Sequence, residues 1–355
     1  MARILIKNGR IFDGERFFYG DILTDGDKIV KIEDTLFDSA DYVYDALGKT
    51  VSAGLIDIHA HLRGISSETF GIQGEIGCFP FGVTAAADAS GRRGDKALLD
   101  SFMLKSVVFV EVGIKSNRAV FENLEKRLDC YGDRAVGLKV YFDTGVSEVH
   151  GTSPLRCVCD YAHSRGLRVM VHSSNSPVGM DELIETLDKG DILTHAFHGG
   201  KNNASEDGFE CLIRARERGV VIDAGFAGHV HTDFDVLKEA IRRGALPDTV
   251  GTDITRYSAY TRGGRYGMTM CMNLARVVGM GEENVFKAVT SSPAKALGKE
   301  NEWGYLRVGR AADIAVFDYT DESFMLTDKA GNSVRSTEGY RCVLTVSDGQ
   351  VVYRC

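Results

Sequence analysis

Six side chains that can bind metals or transfer protons stand at or just after the ends of short apolar runs. They are His59, His61, Lys139, His172, His195 and Asp253. His59 and His61 are two residues apart, and such residues of a strand point to the same face, so both can reach one cation. Neutral imidazoles and carboxylates suit Zn²⁺ and similar cations, and manganese, iron or nickel would also fit this set. Two cations about 3.5–4 Å apart could hold a shared hydroxide with a pKa near roughly 7. Lys139 fits least well, because an ammonium group repels cations and has no lone pair.

Eight apolar runs that could be buried parallel strands recur along the middle of the chain. They are Leu55–His59, Val83–Asp88, Val107–Val112, Ala135–Tyr141, Leu167–His172, Asp191–His195, Val220–Ala224 and Val250–Ile254. Helical patterns lie between the later runs, at Met180–Lys189, Gly208–Arg218 and Phe234–Arg243. This alternation predicts an α/β fold, a distorted (β/α)₈ TIM barrel, in which all six side chains meet at the C-terminal ends of the strands. An open doubly wound sheet is the alternative, but no Gly-rich dinucleotide-binding motif follows any of the runs.

Both ends of the chain have a different pattern, with short strands joined by tight turns. The dipeptides Asn8-Gly9, Asp25-Gly26 and Asp348-Gly349 each favour a type I′ hairpin turn, in which both central residues have positive φ. We therefore expect residues 1–52 and 305–355 to form one small β-sandwich domain, and residues 53–304 to form the metal-binding barrel.

Composition and charge exclude several classes of protein. The 355 residues carry a net charge of −8 without any block of Lys and Arg, which argues against nucleic acid or an anionic membrane as the main partner. The N-terminus has no signal-peptide pattern, and no run approaches the roughly 18 apolar residues of a membrane span. The eight cysteines form no CxxC pair, so we expect buried, reduced thiols and a cytoplasmic protein. A homo-oligomer is possible.

Five segments resemble the metal-binding segments of the amidohydrolase superfamily, and in particular its dihydroorotase-like subgroup. They read GLIDIHAHLRG, GLKVYFD, VMVHSSNSP, DILTHAFHGG and VGTDI. The resemblance implies that Lys139 becomes a carbamate by reaction with CO₂ and bridges two divalent metals, which we expect to be zinc. It places His59, His61 and Asp253 on the more buried metal, and His172 and His195 on the more exposed one. A bridging hydroxide would then attack the substrate carbonyl, and Asp253 would transfer the proton.

Further segments resemble one branch, whose members are often labelled dihydroorotase or adenine deaminase although some remove acetyl groups from α-acyloxy or α-acylamino carboxylates. They include PLRCVCDYAHSRGLRVMVH and FMLTDKAGNSVRS. His61-Leu62-Arg63 instead matches the HxHxR pattern of dihydroorotases. However, the Asp-His-Ala-Pro-His run that carries the metal-binding aspartate of dihydroorotases is absent, because Asp253 is followed by Ile254-Thr255-Arg256-Tyr257. We therefore expect hydrolysis of an acyl, in particular acetyl, amide or ester bond of a small carboxylate. Dihydroorotase-type ring opening is the alternative, and purine deamination or a catalytically dead scaffold barrel is less favoured.

Other residues near these segments are candidates for substrate binding. Arg63 and Arg256 could each bind a carboxylate through two hydrogen bonds, and His198 lies three residues beyond His195 in the same loop. The second HxH pair, His229 and His231, follows the seventh run. There the resemblance supplies no ligand, so a solvent-exposed loop is the first expectation, ahead of substrate contact and then metal binding. The stretch 63–81 between the first two runs is a candidate substrate lid.

Overall fold

The computed structural model describes residues 2–62, 70–91, 96–227, 230–261, 265–321 and 323–355. The chain begins with five strands, β1 (Arg3–Phe12), β2 (Phe17–Asp25), β3 (Lys28–Glu33), β4 (Tyr42–Asp45) and β5 (Thr50–Ala53). β1 lies at the centre of this group, because it pairs antiparallel with β2 on one side and parallel with β4 and β5 on the other.

The next strands build the curled sheet that positions the site. They are β6 (Leu55–Ala60), β7 (Val83–Asp88), β8 (Lys105–Lys115), β9 (Arg118–Val120), β10 (Ala135–Tyr141), β11 (Arg168–His172), β12 (Ile192–Thr194) and β13 (Val221–Asp223). Seven of them pair in parallel in the order β6-β7-β8-β10-β11-β12-β13, and β9 is an antiparallel extension of β8. Because all seven run in the same direction, their C-terminal ends lie on one face of the sheet.

The sheet is closed by a segment that is not a regular strand. Residues 249–254 make single parallel bridges to both edge strands, Asp223 with Thr249 and Ala60 with Ile254. Backbone hydrogen bonds support this closure, since Asp253 N donates to the His59 carbonyl at 2.7 Å and Ala224 N donates to the Thr249 carbonyl at 3.0 Å. The predicted barrel is therefore confirmed. An irregular segment closes it in place of the expected eighth strand, Val250–Ile254.

The C-terminal strands complete the sheet that the N-terminus begins. They are β14 (Ile314–Thr320), β15 (Phe324–Thr327), β16 (Ser333–Ser336), β17 (Gly339–Ser347) and β18 (Gln350–Arg354). The strand order is β18-β17-β14-β5-β1-β2-β3, so β14 pairs with β5 and joins the two ends of the chain. β15 and β16 form a separate hairpin. The prediction that both termini build one β unit is confirmed.

The three turn dipeptides have different outcomes. Asp348-Gly349 is a two-residue turn between β17 and β18, with φ of 46° and 72°, as predicted. The hairpin at Asp25-Gly26 also exists, but Asp25 pairs with Lys28, so the central residues are Gly26 and Asp27. The prediction of a hairpin turn at Asn8-Gly9 is wrong, because this dipeptide is a bulge within the single strand β1. A positive φ suits both a turn and a bulge, and Asn8 has a φ of 58°.

Eleven α-helices occur in the described ranges. They are α1 (Gly74–Cys78), α2 (Lys96–Asp100), α3 (Leu124–Tyr131), α4 (Ser153–His163), α5 (Met180–Ile184), α6 (Glu210–Glu217), α7 (Phe234–Arg242), α8 (Arg256–Thr261), α9 (Met268–Val277), α10 (Glu282–Val289) and α11 (Ser291–Leu297). Several of them, including α3, α4, α6 and α11, pack on strands of the curled sheet. α6 and α7 agree with the predicted helices to within two residues at each end. The helix predicted over Met180–Lys189 ends at Ile184, where the Thr186 hydroxyl donates to the Leu183 carbonyl at 2.6 Å and favours a turn.

The cysteines and the helices also bear on the expectations from composition. All eight cysteines are free thiols; five are buried, Cys130 is half-buried, and Cys157 and Cys355 are exposed. Within the described ranges, no helix is both long enough and apolar enough to cross a membrane.

Candidate metal centre

One group of metal-binding side chains joins the end of β6 to the segment that closes the barrel. His59, His61 and Asp253 are all buried, and each offers a ligand atom within 4.8 Å of the others. The His61 Nε2 atom lies 2.7 Å from Asp253 Oδ1, and His59 Nε2 lies 3.5 Å from the same oxygen. Two imidazoles and one carboxylate at this spacing can hold a divalent cation.

A second group lies beside the first, at the ends of β11, β12 and β13. It consists of His172, His195 and His231, whose ligand atoms are again within 4.8 Å of one another. The His231 ring centroid lies 4.2 Å from that of His195 and 4.8 Å from that of His172. Asp253 borders this group as well, because its Oδ2 atom lies 3.8 Å from His195 Nε2 and 3.9 Å from His231 Nε2.

Hydrogen bonds fix the protonation of His59. The Thr194 hydroxyl donates to Asp223 Oδ2 at 2.7 Å, and its oxygen lies 3.0 Å from His59 Nδ1. Since the hydroxyl proton is engaged with Asp223, the Thr194 oxygen accepts from Nδ1–H. His59 is therefore the tautomer with a lone pair on Nε2, the nitrogen that faces Asp253 and Lys139.

The histidines of the second group are oriented by similar contacts. His195 Nδ1 donates to the Gly225 carbonyl at 2.6 Å, which leaves Nε2 as the basic nitrogen. In the described part of the chain, this buried Nε2 atom has no hydrogen-bond partner. His172 Nε2 lies 3.1 Å from Asp143 Oδ2, so Nδ1 is the nitrogen left for a metal. His231 Nδ1 bonds to the Ser174 hydroxyl at 2.8 Å, which leaves its Nε2 atom for the site.

Lys139 lies next to the first group. It is fully buried on β10, and its Nζ atom lies 3.2 Å from His59 Nε2. Within the described ranges, no carboxylate lies within ion-pair distance of Nζ. Burial lowers the pKa of Lys139 to about 8, because a dry environment penalises the ammonium form. Lys139 therefore forms the neutral amine more readily than a lysine exposed to water does.

Burial also favours the neutral form of four histidines in the two groups. It lowers the pKa of His59 and of His231 to about 4, and it lowers the pKa of His172 and His195 as well. For Asp253, burial opposes ionisation, but the nearby imidazoles of His59 and His61 outweigh it and hold the pKa far below its usual range. Neutral imidazoles and an ionised carboxylate are the forms that bind metal.

The backbone is strained at two of these residues. His195 and Asp253 have φ values of 63° and 48°, in the left-handed region that residues other than glycine rarely adopt. Such strain is concentrated at functional sites, where the surrounding structure enforces it. Gly251 allows the close approach required there, because a Cβ at this position would lie 2.9 Å from both His59 Cβ and the Asp223 carboxylate.

A cavity of about 250 Å³ opens next to the second group. His231, His198, Ser174, Asn175, Thr232, Asp233 and Lys329 are among the residues that line it. His198 is buried, and its Nδ1 atom accepts a hydrogen bond from Gly200 N at 3.1 Å. This predicted substrate residue therefore lies on the wall of a cavity that the second metal group also borders.

The other predicted substrate residues lie elsewhere or outside the described residues. Arg256 is half-buried at the start of α8, and its backbone N–H donates to the Phe70 carbonyl at 2.8 Å. Arg63 and His229 fall outside the described residues, as does the part of the proposed lid over residues 63–69. The described part of that stretch contains α1 and a 3₁₀-helix at Phe79–Phe81.

Sequence reasoning missed several residues that support the ligands. Asp143, Thr194 and Asp223 orient imidazole rings; Asp143 and Thr194 lie within the segments GLKVYFD and DILTHAFHGG, but the sequence did not single them out as supports of the ligands. The sequence favours a solvent-exposed loop for His231. In the structure, however, its side chain is only 22% exposed and faces the second group. The second HxH pair was the feature of the sequence that could have indicated this role of His231. The sequence alone could not show that His231 comes close to the ends of β11 and β12.

Comparison with known proteins shows the family of the chain. The amidohydrolase family model matches residues 50–352. A deacetylase of Agrobacterium fabrum is 30% identical over 340 residues, which cover 89% of this chain and 82% of the relative. A deacetylase of Enterococcus faecalis is 28% identical over 374 residues, covering 98% of both chains. The crystal structure of a dihydroorotase is similar with a TM-score of 0.87 and 26% identity, over 99% of this chain and 98% of that one. The chain belongs to the amidohydrolase family, and it is a metal-dependent hydrolase.

Proposed function

We propose that this enzyme uses two divalent cations, which we expect to be zinc, to remove an acyl group, in particular acetyl, from a small substrate bearing a carboxylate. The observation on which this proposal rests is the contact of both metal-binding groups with one carboxylate, Asp253. The deacetylases named above support the choice of an acetyl group, because they match this chain over most of its length.

The donor atoms fit two cations. His59, His61 and Asp253 would hold the first, and His172 and His195 would hold the second, with His231 as a further ligand that the geometry adds. The buried His195 Nε2 atom supports this assignment, since it has no protein partner among the described residues. When bound, two such cations supply Lewis acidity and lower the pKa of water toward roughly 7.

Lys139 would join the two positions as a carbamate. A buried lysine with no carboxylate within ion-pair distance among the described residues is costly as an ammonium, and reaction of its neutral amine with CO₂, with release of one proton, would convert it into an anion. Because the Nζ atom lies 3.2 Å from His59 Nε2, such an anion would lie beside the first group. Its two oxygens would then be available to one cation each.

Asp253 would act as the proton-transferring residue. As an ionised carboxylate at the boundary of both groups, it would accept the proton of the attacking water and deliver it to the leaving nitrogen or oxygen. The same carboxylate is a ligand, so its position relative to the water would be fixed. His198, Arg63 and Arg256 remain candidates for binding the substrate.

Dihydroorotase-type ring opening is the second candidate, because a solved dihydroorotase has a closely similar structure. Both reactions would hydrolyse an amide next to a carboxylate, so the same donor set would serve either one. They differ in the substrate that reaches the site.

The experiment is a measurement of acetate release by zinc-loaded enzyme from N- and O-acetylated α-carboxylates, with dihydroorotate and adenine tested in parallel. We expect acetate from wild-type enzyme, and a kcat about 10²- to 10⁴-fold lower for Asp253→Asn with most of the metal retained. Asp235→Asn, an exposed aspartate on α7, is the matched control and should match the wild type. Turnover of dihydroorotate alone would replace the deacetylase proposal with the second candidate, and near-full activity of Asp253→Asn would refute the role of Asp253.

A further inference from the structure

The turn between β15 and β16 reaches the cavity beside the second metal group. Lys329 and Ala330 lie in this turn and line the cavity together with residues that follow β11, β12 and β13. The hairpin belongs to the C-terminal part of the chain, whereas the rest of the lining comes from the barrel. The cavity is therefore bounded by two separate parts of the chain.

Buried contacts hold the hairpin in place. Asp328 is buried, and its Oδ2 atom accepts a hydrogen bond from Phe234 N at 2.8 Å, at the start of α7. Asn332 Nδ2 donates to Asp328 Oδ2 at 3.0 Å and to Asp233 Oδ1 at 3.3 Å. Leu326 and Val334 are packed in the main core. The position of Lys329 is thus set by a rigid turn and not by a free loop.

Lys329 is the one lysine or arginine among the described residues that line this cavity. His198 is neutral, because its Nδ1 atom accepts a hydrogen bond from Gly200 N and therefore carries no proton. Asp233 also lines the cavity, but its Oδ1 atom accepts from Asp235 N and Val236 N and caps α7. In the ranges that the structure describes, Lys329 has no carboxylate within 4.0 Å. Its ammonium group is therefore available to a ligand.

Two buried polar atoms of residues that line the cavity also lack partners within the described part of the chain. They are His198 Nε2 and Thr232 Oγ1. Because His198 Nδ1 accepts from Gly200 N, its Nε2 atom carries the proton and can donate. Two unused donors and one cation around a small cavity are what a carboxylate requires.

We propose that Lys329, at the tip of the β15–β16 hairpin, binds the carboxylate of the substrate in this cavity, with His198 and Thr232 as the neutral donors. The inference rests on the proposed function, because it identifies which part of that site recognises the carboxylate. It assigns the C-terminal hairpin a role in substrate selection, in addition to its packing.

The test compares the binding of matched ligand pairs to zinc-loaded, full-length protein by calorimetry. Each pair consists of an N-acetyl amino acid, in both enantiomers, and its neutral carboxamide, and hydrolysis of each compound is followed separately. We expect the wild type to prefer the carboxylate by about tenfold or more, and Lys329→Met to lose this preference while binding the carboxamide as before. Lys329→Arg should retain the preference. Lys201→Met, which removes the same charge from an exposed position in a neighbouring loop, should behave like the wild type.

The two proposals fail in different ways in this experiment. If the wild type prefers the carboxylates and Lys329→Met does not, the inference is supported even when no compound is hydrolysed, and only the deacetylase proposal fails. If acetate is released but Lys329→Met keeps the full preference for carboxylates, the inference is overturned and the deacetylase proposal stands. A wild type that binds both members of every pair equally, or binds neither, also overturns the inference.

Discussion

Asp143 orients His172 through a contact of 3.1 Å between Asp143 Oδ2 and His172 Nε2. The carboxylate is itself held by Gly145 N at 2.7 Å and by the side-chain amide of Asn175. Burial opposes its ionisation, but the contact with His172 and these hydrogen bonds outweigh it and lower the pKa of Asp143 to about 2. His172 consequently offers Nδ1 to the second metal position, in the orientation that an ionised partner enforces.

Replacement of Asp143 should weaken binding of the second metal without removing any ligand. We expect Asp143→Ala to lower the affinity at that position about 10- to 100-fold, because the imidazole loses its partner and its fixed orientation. Asp143→Asn should lose less of this metal affinity, since the amide oxygen can still accept a hydrogen bond from His172 Nε2–H. The measurement is metal content after equilibration with a chelator of known affinity. Equal metal retention by Asp143→Ala and wild-type protein would contradict the orienting role.

Removal of the Lys139 side chain should reduce the metal content. We expect Lys139→Ala to hold no more than one of the two metals, because the proposed bridging anion is lost. Added propionate should restore part of the activity by replacing the carbamate. Labelled bicarbonate should give a carbamate carbon signal by NMR in the wild type and none in the variant. Two tightly bound metals in Lys139→Ala would contradict the carbamate.

His231 provides a test of how many histidines serve the second position. We expect His231→Gln to bind cobalt at that position about tenfold more weakly or worse, with a changed visible absorption spectrum, because an imidazole ligand is lost. The exposed His150 provides the matched control, and His150→Gln should titrate like the wild type. If His231→Gln binds cobalt normally and only its KM rises, then His231 contacts substrate and is not a ligand.

The fold was largely predictable, because periodicity and turn residues record local preferences. Val83–Asp88 and Ala135–Tyr141 form strands with the predicted bounds, since both are continuous apolar runs. The run Val250–Ile254 was predicted as a strand by the same rule, but the positive φ of Asp253 interrupts the extended backbone. That conformation is imposed by contacts with β6 and β13, which a local pattern cannot record. The bulge at Asn8 was mistaken for a turn for a related reason, because both structures use the same backbone conformation.

The candidate site was predictable only where a motif or a strand end marked it. The six predicted ligands meet at the C-terminal ends of the strands, since the topology of a barrel brings those ends together. Asp143 and Lys329 lie within the quoted segments GLKVYFD and FMLTDKAGNSVRS but were not predicted, because a segment does not show which residues its side chains contact. Their roles arise from contacts with residues distant in the chain, such as the bond between Asp328 and the start of α7.

Glu282 joins the terminal sheet to the barrel, and this connection should depend on pH. Both Arg10 guanidinium Nη atoms lie 2.9 Å from the Glu282 carboxylate oxygens, and the Tyr340 hydroxyl also donates to this carboxylate. The contact with Arg10 outweighs burial and lowers the pKa of Glu282 below its usual value. A carboxylate with a lowered pKa stabilises the fold above the pKa of the unfolded chain, and the contribution is lost as pH falls through the folded pKa.

We therefore expect Glu282→Gln to lower the free energy of unfolding by about 1–2 kcal/mol at pH 7, since the group is partly exposed. The difference from wild type should persist to about pH 5 and shrink as the pH falls below roughly 4.5, where the unfolded carboxyl takes up its proton. Urea unfolding of metal-free protein at several pH values measures this difference without a contribution from metal loss. The neighbouring Glu283 pairs with Lys287 on the surface of α10, so Glu283→Gln should cost less than about 0.5 kcal/mol. A constant difference between Glu282→Gln and wild type down to pH 3 would mean that packing, and not the charge of Glu282, connects the sheet to the barrel.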